Sequence, residues 1–280
     1  MTYVRPETLG EALDRLAAKD ARIAAGCTDL FTLTQDQALP WPVVDVTAIA
    51  ELKTIRRTGD GWRIGAAASW RAIAAADLPP AFDALKLAAR EVGSAQIQTA
   101  ATIGGNLCNA SPAADGVPPL LILDAEVEIT CASGTRCLPL ADFITGPRQT
   151  ALRPGEMVTA ILVPGHGAGG NGHFIKLGAR KHLLISVAMV AARLEIDGGT
   201  IRRAALAVGA CGPVATRLPA LEAMLEGLPA AHAPATVTNE LVFPALAPID
   251  DIRADRAYRL EAATELLRRA IAELADGARP

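Results

Sequence analysis

Thr102-Ile103-Gly104-Gly105-Asn106-Leu107-Cys108-Asn109-Ala110-Ser111-Pro112-Ala113-Ala114-Asp115 is the stretch on which the reading of this chain turns. Adjacent Gly104 and Gly105 predict a turn with φ > 0 and close approach of the backbone to a ligand. Thr102, Asn106 and Asn109 surround them with hydrogen-bonding groups that carry no charge. Ser111-Pro112 predicts an N-cap followed by proline at the first helical position, opening a short helix that runs to Leu123. A glycine turn that feeds exposed N–H groups toward a helix start is an anion cradle, so the stretch reads as a phosphate-gripping loop.

The rest of the chain narrows what that loop could serve. Its 280 residues have room for two domains or one large one. Net charge is -3 and no basic patch is visible, which argues against nucleic acid and anionic membrane as partners. Aromatic residues make up 4% of the chain, too few for a base-stacking surface. No apolar run approaches the roughly 18 residues of a membrane span. The start, Met-Thr-Tyr-Val-Arg-Pro-Glu, lacks a basic region followed by an apolar core, so no signal peptide and a cytoplasmic location are expected. The cysteines number five, Cys27, Cys108, Cys131, Cys137 and Cys211. An odd count without an export signal predicts free thiols. Cys131 and Cys137 flank the hairpin tip Ser133-Gly134 and do not have iron–sulfur ligand spacing. The scattered His166, His173, His182 and His232 suggest no metal site. Cys108 reads as a small buried hydrophobe.

Periodicity divides the chain into two regions. In the first, residues 3–5, 22–25 and 43–46 read as strands, and Thr8 to Glu11 as a capping box opening a helix through residue 18. Residues 52–57 and 62–65 around Gly59-Asp60-Gly61 read as a hairpin. Helices are expected at 70–76 and 80–91, and strands at 126–131, 135–138 and 158–163. Gly165 to Gly172 reads as a flexible linker. Its formal Gly165-x-Gly167-x-x-Gly170 match is not a dinucleotide fingerprint, because a strand-like Phe174-Ile175-Lys176-Leu177 follows where a helix is required. In the second region, residues 187–196 and 201–208 read as a hairpin joined by Asp197-Gly198-Gly199. Helices at 218–225, 234–243 and 255–274 complete a small sheet with helices, an α+β layout.

A second glycine turn, at Gly26, also sits among small polar residues. Two such turns suggest one ligand with two phosphates, held by backbone N–H groups without a lysine; two structural turns are the alternative.

These segments resemble one family. Ala25-Gly26-Cys27-Thr28-Asp29-Leu30 is similar to the Ala-Gly-Gly-Thr-Asp-Leu segment of the FAD-binding medium subunit of molybdenum hydroxylases, the flavoproteins of carbon monoxide, nicotine and xanthine dehydrogenases. Residues 101–115 resemble the second motif of that family almost residue for residue. Phe174-Ile175-Lys176, Arg180 and residues 187–192 resemble the start of its C-terminal domain. The resemblance implies an α+β fold: a PCMH/VAO-like FAD-binding domain of two α+β subdomains at residues 1–168, then a C-terminal domain with a small antiparallel sheet and helices at 171–278. It implies that Ile23, Ala24, Ala25, Gly26, Cys27, Thr28, Asp29 and Leu30, with Thr102, Ile103, Gly104, Gly105 and Asn106, grip the diphosphate and ribityl of FAD. Asp115 resembles an aspartate that hydrogen-bonds the cofactor, Val158 a position whose backbone meets it, and Lys176 a lysine near the flavin. A cation there would favour negative charge on the ring, although Lys176 also reads as a solvated strand-end lysine and Asp115 as a first-turn carboxylate on a helix dipole.

The chain departs from the family at Cys27, where glycine is usual; an ordinary φ is expected for it, because φ > 0 costs a side chain roughly 1–2 kcal/mol. An aspartate common in the C-terminal domain is replaced within Leu184-Ile185-Ser186, which leaves its role absent or passed to Ser186. No inserted iron–sulfur segment is expected. The resemblance implies partners: a large molybdopterin subunit and a small [2Fe-2S] subunit, with electrons leaving FAD for an external acceptor. A stand-alone flavin oxidase or reductase, or an assembly module that has lost FAD, is the alternative.

Overall fold

The computed structural model describes residues 3–17, 21–36, 39–178 and 185–277. Arg180 and Leu184 lie outside the described residues.

The chain opens with β1 (Tyr3–Val4), α1 (Leu9–Ala17), β2 (Arg22–Ala24) and β3 (Val43–Asp45). The three strands form a parallel sheet in the order β1-β3-β2, as expected when a helix carries the chain from one strand to the next. Thr8 Oγ1 accepts from the Glu11 N–H at 3.3 Å, while the Glu11 carboxylate accepts from the Glu7 N–H at 3.2 Å, one residue earlier than in a reciprocal capping box.

Next come β4 (Ile55–Thr58), β5 (Gly61–Gly65), α2 (Trp70–Ala75), α3 (Asp83–Glu91), α4 (Ala95–Ala100), α5 (Ile103–Asn109) and α6 (Val117–Ile122). They are followed by β6 (Glu126–Cys131), β7 (Gly134–Pro139), α7 (Leu140–Phe143), the short pair β8 (Ile144–Gly146) and β9 (Gln149–Thr150), and β10 (Met157–Pro164). An antiparallel sheet in the order β4-β5-β10-β6-β7 carries this second subdomain. Its apolar face packs on Trp70, Ile73, Phe82, Leu85, Ile103 and Leu107, all fully buried.

The last region holds β11 (Asn171–Leu177), β12 (Ala188–Asp197), β13 (Thr200–Gly209), β14 (Thr216–Arg217), α8 (Pro219–Leu225), α9 (Ala233–Thr236), α10 (Asn239–Val242) and α11 (Arg256–Asp276). Its antiparallel sheet runs β11-β12-β13-β14. The expected helix at 234–243 is broken in two, with Thr238 in an extended conformation between the pieces.

Three expectations are corrected. Gly104 and Gly105 are not in a turn; they occupy the first turn of α5, which Thr102 caps by accepting the Gly105 N–H at 3.1 Å. Ser111 does not cap a helix, since α6 begins only after Gly116. The Ser111 Oγ instead accepts from the Ala113 N–H at 3.2 Å, a local turn of the kind serine favours. Residues 165–172 are not a free tether: a 3-10 turn over Gly165–Ala168 leads into β11. Gly167 is buried, and a Cβ on it would stand 2.0 Å from the Leu123 carbonyl oxygen.

The two regions are clasped by arginines of the second. Arg193, with 4% of its side chain exposed, donates from Nε to Ile122 O at 2.7 Å. Arg217 Nη1 reaches Leu121 O and Asp124 Oδ1, both at 2.8 Å.

Candidate functional site

A cleft of about 2220 Å³ opens between the two glycine-bearing segments. Small-molecule sites usually fill about 300–1,000 Å³, so this one suits an extended ligand. Ile23 and residues 25–30 form one wall, while Thr102, Gly104, Gly105, Asn106 and Val158 line the other side. Ala24 and Ile103 are buried behind these walls and do not line the cleft.

The segments touch directly. Gly26 has an ordinary φ, and its glycine identity serves packing: a Cβ there would lie 2.3 Å from Ala100 O. Cys27 takes the left-handed conformation instead, at φ 57, against the expectation of an ordinary φ. A left-handed residue within a run of turn residues aims successive N–H groups to one side. The N–H groups of Cys27 and Thr28 have no acceptor among the described residues.

The first turn of α5 behaves oppositely. Ile103 N–H donates to Ala68 O at 3.0 Å, Gly104 N–H to Ala66 O at 2.8 Å, and Gly105 N–H to Thr102 Oγ1. These donors are spent inside the protein, so residues 103–105 contribute shape rather than N–H groups. A Cβ on Gly104 would stand 2.6 Å from Ala66 O, which welds the helix start to the segment before α2. Gly105 is exposed to the cleft and lets a ligand approach the helix backbone. Beside it, the buried Asn106 Oδ1 has no hydrogen-bond donor. The atom is shut off from solvent and faces Gly116, so it is an internal orphan behind the wall rather than a group open to the cleft.

Asp115 and Lys176 do not line the cleft. They form a buried ion pair, Lys176 Nζ to Asp115 Oδ2 at 2.6 Å, and Ser186 Oγ donates to Asp115 Oδ1 at 2.7 Å. Asp115 is therefore not a first-turn helix carboxylate, and Lys176 is not a solvated strand-end cation. Burial pushes the Asp115 carboxyl up, while Lys176 and Ser186 pull it down. The adjoining Gly116 backs onto Asn106, where its Cβ would lie 2.9 Å from Oδ1. Cys108 is exposed on the cleft wall rather than buried.

Asn109 also lines the cleft, as a hydrogen-bonding group of the quoted stretch, and so do Arg148 and Trp41, for which the sequence offers no role. The Arg22 guanidinium lies 5.3 Å from the Trp41 ring centroid. Arg148 sits at a hairpin tip far along the chain and had no local signal.

Residues 1–166 match the family described as FAD binding domain in molybdopterin dehydrogenase, and residues 173–274 match the CO dehydrogenase flavoprotein C-terminal domain. The chain is 31% identical over 278 residues to the xanthine dehydrogenase FAD-binding subunit of Escherichia coli O157:H7, covering 97% of this chain and 95% of that one. It is 32% identical over 276 residues to the carbon monoxide dehydrogenase medium chain of Afipia carboxidovorans, covering 96% and 94%. The fold superposes on a chain of the reconstituted CO dehydrogenase of Oligotropha carboxidovorans with a TM-score of 0.92, at 28% identity, covering 99% and 98%.

Proposed function

Because this chain belongs to the family of FAD-binding domains in molybdopterin dehydrogenases, both of whose domains it matches in order, we propose that it passes electrons from an iron–sulfur subunit to an external acceptor within a heteromeric molybdenum hydroxylase. Its partners in this reading are a large molybdopterin subunit and a small [2Fe-2S] subunit. The two domains are taken as residues 1–168 and 171–278, meeting at the 3-10 turn.

The single observation that carries the reading is the cleft itself. It brings residues 25–30 opposite Thr102, Gly104, Gly105 and Asn106, with the unpaired N–H groups of Cys27 and Thr28 on one side and a bare helix turn at Gly105 on the other. These residues fit FAD. Cys27 and Thr28 would turn their free N–H groups to the diphosphate, and Asn106 would stand on the wall beside the ribityl. Gly26, Gly104 and Thr102 would hold the two walls at their spacing, with Ile23, Ala25, Leu30 and Val158 supplying apolar surface. Ala24 and Ile103 would act from behind, by packing. FAD, when bound, supplies a two-electron store that can be filled and emptied in single steps. Asp115 and Lys176 would support the wall from behind Asn106.

Cysteine chemistry supports a cytoplasmic setting: all five thiols are free. Among the described residues no helix is long and apolar enough to cross a membrane.

The visible spectrum of the purified chain and the identity of co-purifying subunits test the reading. A flavin spectrum together with a molybdopterin and an iron–sulfur subunit is expected. A colourless chain that takes up no FAD would refute it, and a yellow chain that oxidises an organic substrate alone would replace it with a stand-alone oxidase.

A further inference from the structure

Asp29, Asn109 and Arg148 come from three separate segments and meet at the cleft, which all three line. Asn109 Nδ2 donates to Asp29 Oδ1 at 2.9 Å. Arg148 Nη1 donates to Asn109 Oδ1 and, at 3.3 Å, to the Asn109 carbonyl oxygen. A cation on the amide oxygen and a carboxylate on the amide nitrogen fix which way the Asn109 side chain faces. The backbone joins in: Arg148 N–H donates to Ala110 O at 2.8 Å. Ala110 at φ 46 and Arg148 at φ 60 are both left-handed without being glycine. Side-chain-bearing residues hold that conformation only where the surroundings enforce it, and such residues gather at ligand sites.

The chemistry of the bridge follows from charge. Residues 23–30 and 102–106 contain no lysine or arginine, and their one ionised group is the Asp29 carboxylate. A free carboxylate there would repel an anionic ligand. Asn109 holds one of its oxygens, and Thr28 Oγ1 donates to the other at 3.3 Å. Arg148 keeps Nε and Nη2 without a protein partner among the described residues, so a positive charge with spare donors stands at the cleft wall.

We infer that Arg148 is a positioning residue for the diphosphate of the bound cofactor: through Asn109 it restrains Asp29, and it supplies the positive charge that the two glycine-bearing segments lack. The inference rests on the FAD reading above and adds a residue to it.

Titration of the full chain with FAD, followed by flavin fluorescence at low and high salt, tests it. Arg148→Met should weaken FAD binding about tenfold, as loss of a charge-assisted contact does. It should also flatten the salt dependence, because a screened charge has been removed. Arg148→Lys should restore most of the salt dependence. Asn109→Ala should weaken binding, and adding Asp29→Asn should recover it, since the repelling carboxylate is then gone. Arg148→Met binding within about twofold of the unaltered chain, or weakened binding with an unchanged salt slope, overturns the inference. Should Arg148→Met not fold, failure of Asp29→Asn to rescue Asn109→Ala overturns it equally. If the unaltered chain itself binds no FAD, the fault lies with the FAD reading instead.

Discussion

Lys176 Nζ and Asp115 Oδ2 lie 2.6 Å apart, with only 6% and 11% of their side chains exposed. The pair joins β11 to the loop before α6, and Ser186 from the segment before β12 completes it. Removing one partner of a buried pair leaves the other charge uncompensated, at a cost of about 3–5 kcal/mol. Lys176→Met should therefore destabilise the chain by about 3 kcal/mol in urea unfolding. Adding Asp115→Asn should give back more than half of that loss. Strictly additive losses would mean that the two groups do not act as a unit. The same pairing revises the role of Lys176 toward the flavin, since its charge is matched by Asp115 and is not a free cation.

Gly104 and Gly105 are neighbours with opposite duties. Alanine at Gly104 would place its Cβ 2.6 Å from Ala66 O, a clash with backbone that cannot rotate away. Overpacking of this kind costs about 1–3 kcal/mol, so Gly104→Ala should lower the thermal midpoint of the cofactor-free chain. Gly105 faces the cleft, where the nearest atom to an added Cβ is Thr102 Oγ1 at 2.9 Å. Alanine there gains about 1 kcal/mol of helix propensity, which offsets that contact, while its methyl enters the ligand path. Gly105→Ala should melt within a few degrees of the unaltered chain yet bind FAD more weakly. Equal melting and equal FAD affinity for the two variants would contradict this division.

Much of the architecture was legible because it is written locally. Leu266, Leu267, Ala270, Ile271 and Leu274 repeat at helical spacing and are buried along α11. Asp197-Gly198-Gly199 marks the β12–β13 turn, with Gly198 at φ 56 and Gly199 at φ 77. The site resisted for the opposite reason. Gly104 and Gly105 look like a turn until Ala66 and Ala68 supply acceptors for the first turn of α5, and those residues lie more than thirty positions away in the chain. Thr102 was a legible N-cap for that helix, but the glycine pair outweighed it. The role of Arg148 depends on a hairpin folding back onto the end of α5, which no local pattern encodes.

Cys27 bears a side chain at φ 57, where glycine would be at ease. Its thiol makes one weak hydrogen bond, Sγ to Ala25 O at 3.7 Å, and its partly buried side chain packs against the small cluster of Ala24, Leu39 and Val43. Relief of left-handed strain is worth roughly 1–2 kcal/mol, and the greater freedom of glycine in the unfolded chain takes back part of it. Cys27→Gly should raise stability by about 0.5–1 kcal/mol and keep FAD, because the N–H groups at 27 and 28 stay where they are. Urea unfolding and FAD titration of the variant decide the matter. Lost flavin would assign the thiol a role that its geometry does not suggest.

Glu156 links stability to pH through a bidentate arginine. Arg136 grips its carboxylate with two bonds, Nε to Oε1 at 2.8 Å and Nη2 to Oε2 at 2.7 Å, and the Arg153 N–H adds a third at 2.8 Å. The Arg136 hydrogen bonds, opposed by partial burial, hold the Glu156 carboxyl below its usual range. A depressed folded-state pKa adds stability that is present above the unfolded value, about 4.3, and lost as pH falls through the folded one. Glu156→Gln keeps the size and removes the charge, so at pH 7 it should unfold with about 1–2 kcal/mol less stability. As pH falls past the unfolded value and then through the lower folded one, the unaltered carboxylate takes up its proton, and the two stabilities should converge. Urea midpoints measured across that range check the sign. A gap that stays constant down to pH 3 would show that the interaction between Arg136 and Glu156 does not depend on the carboxylate charge.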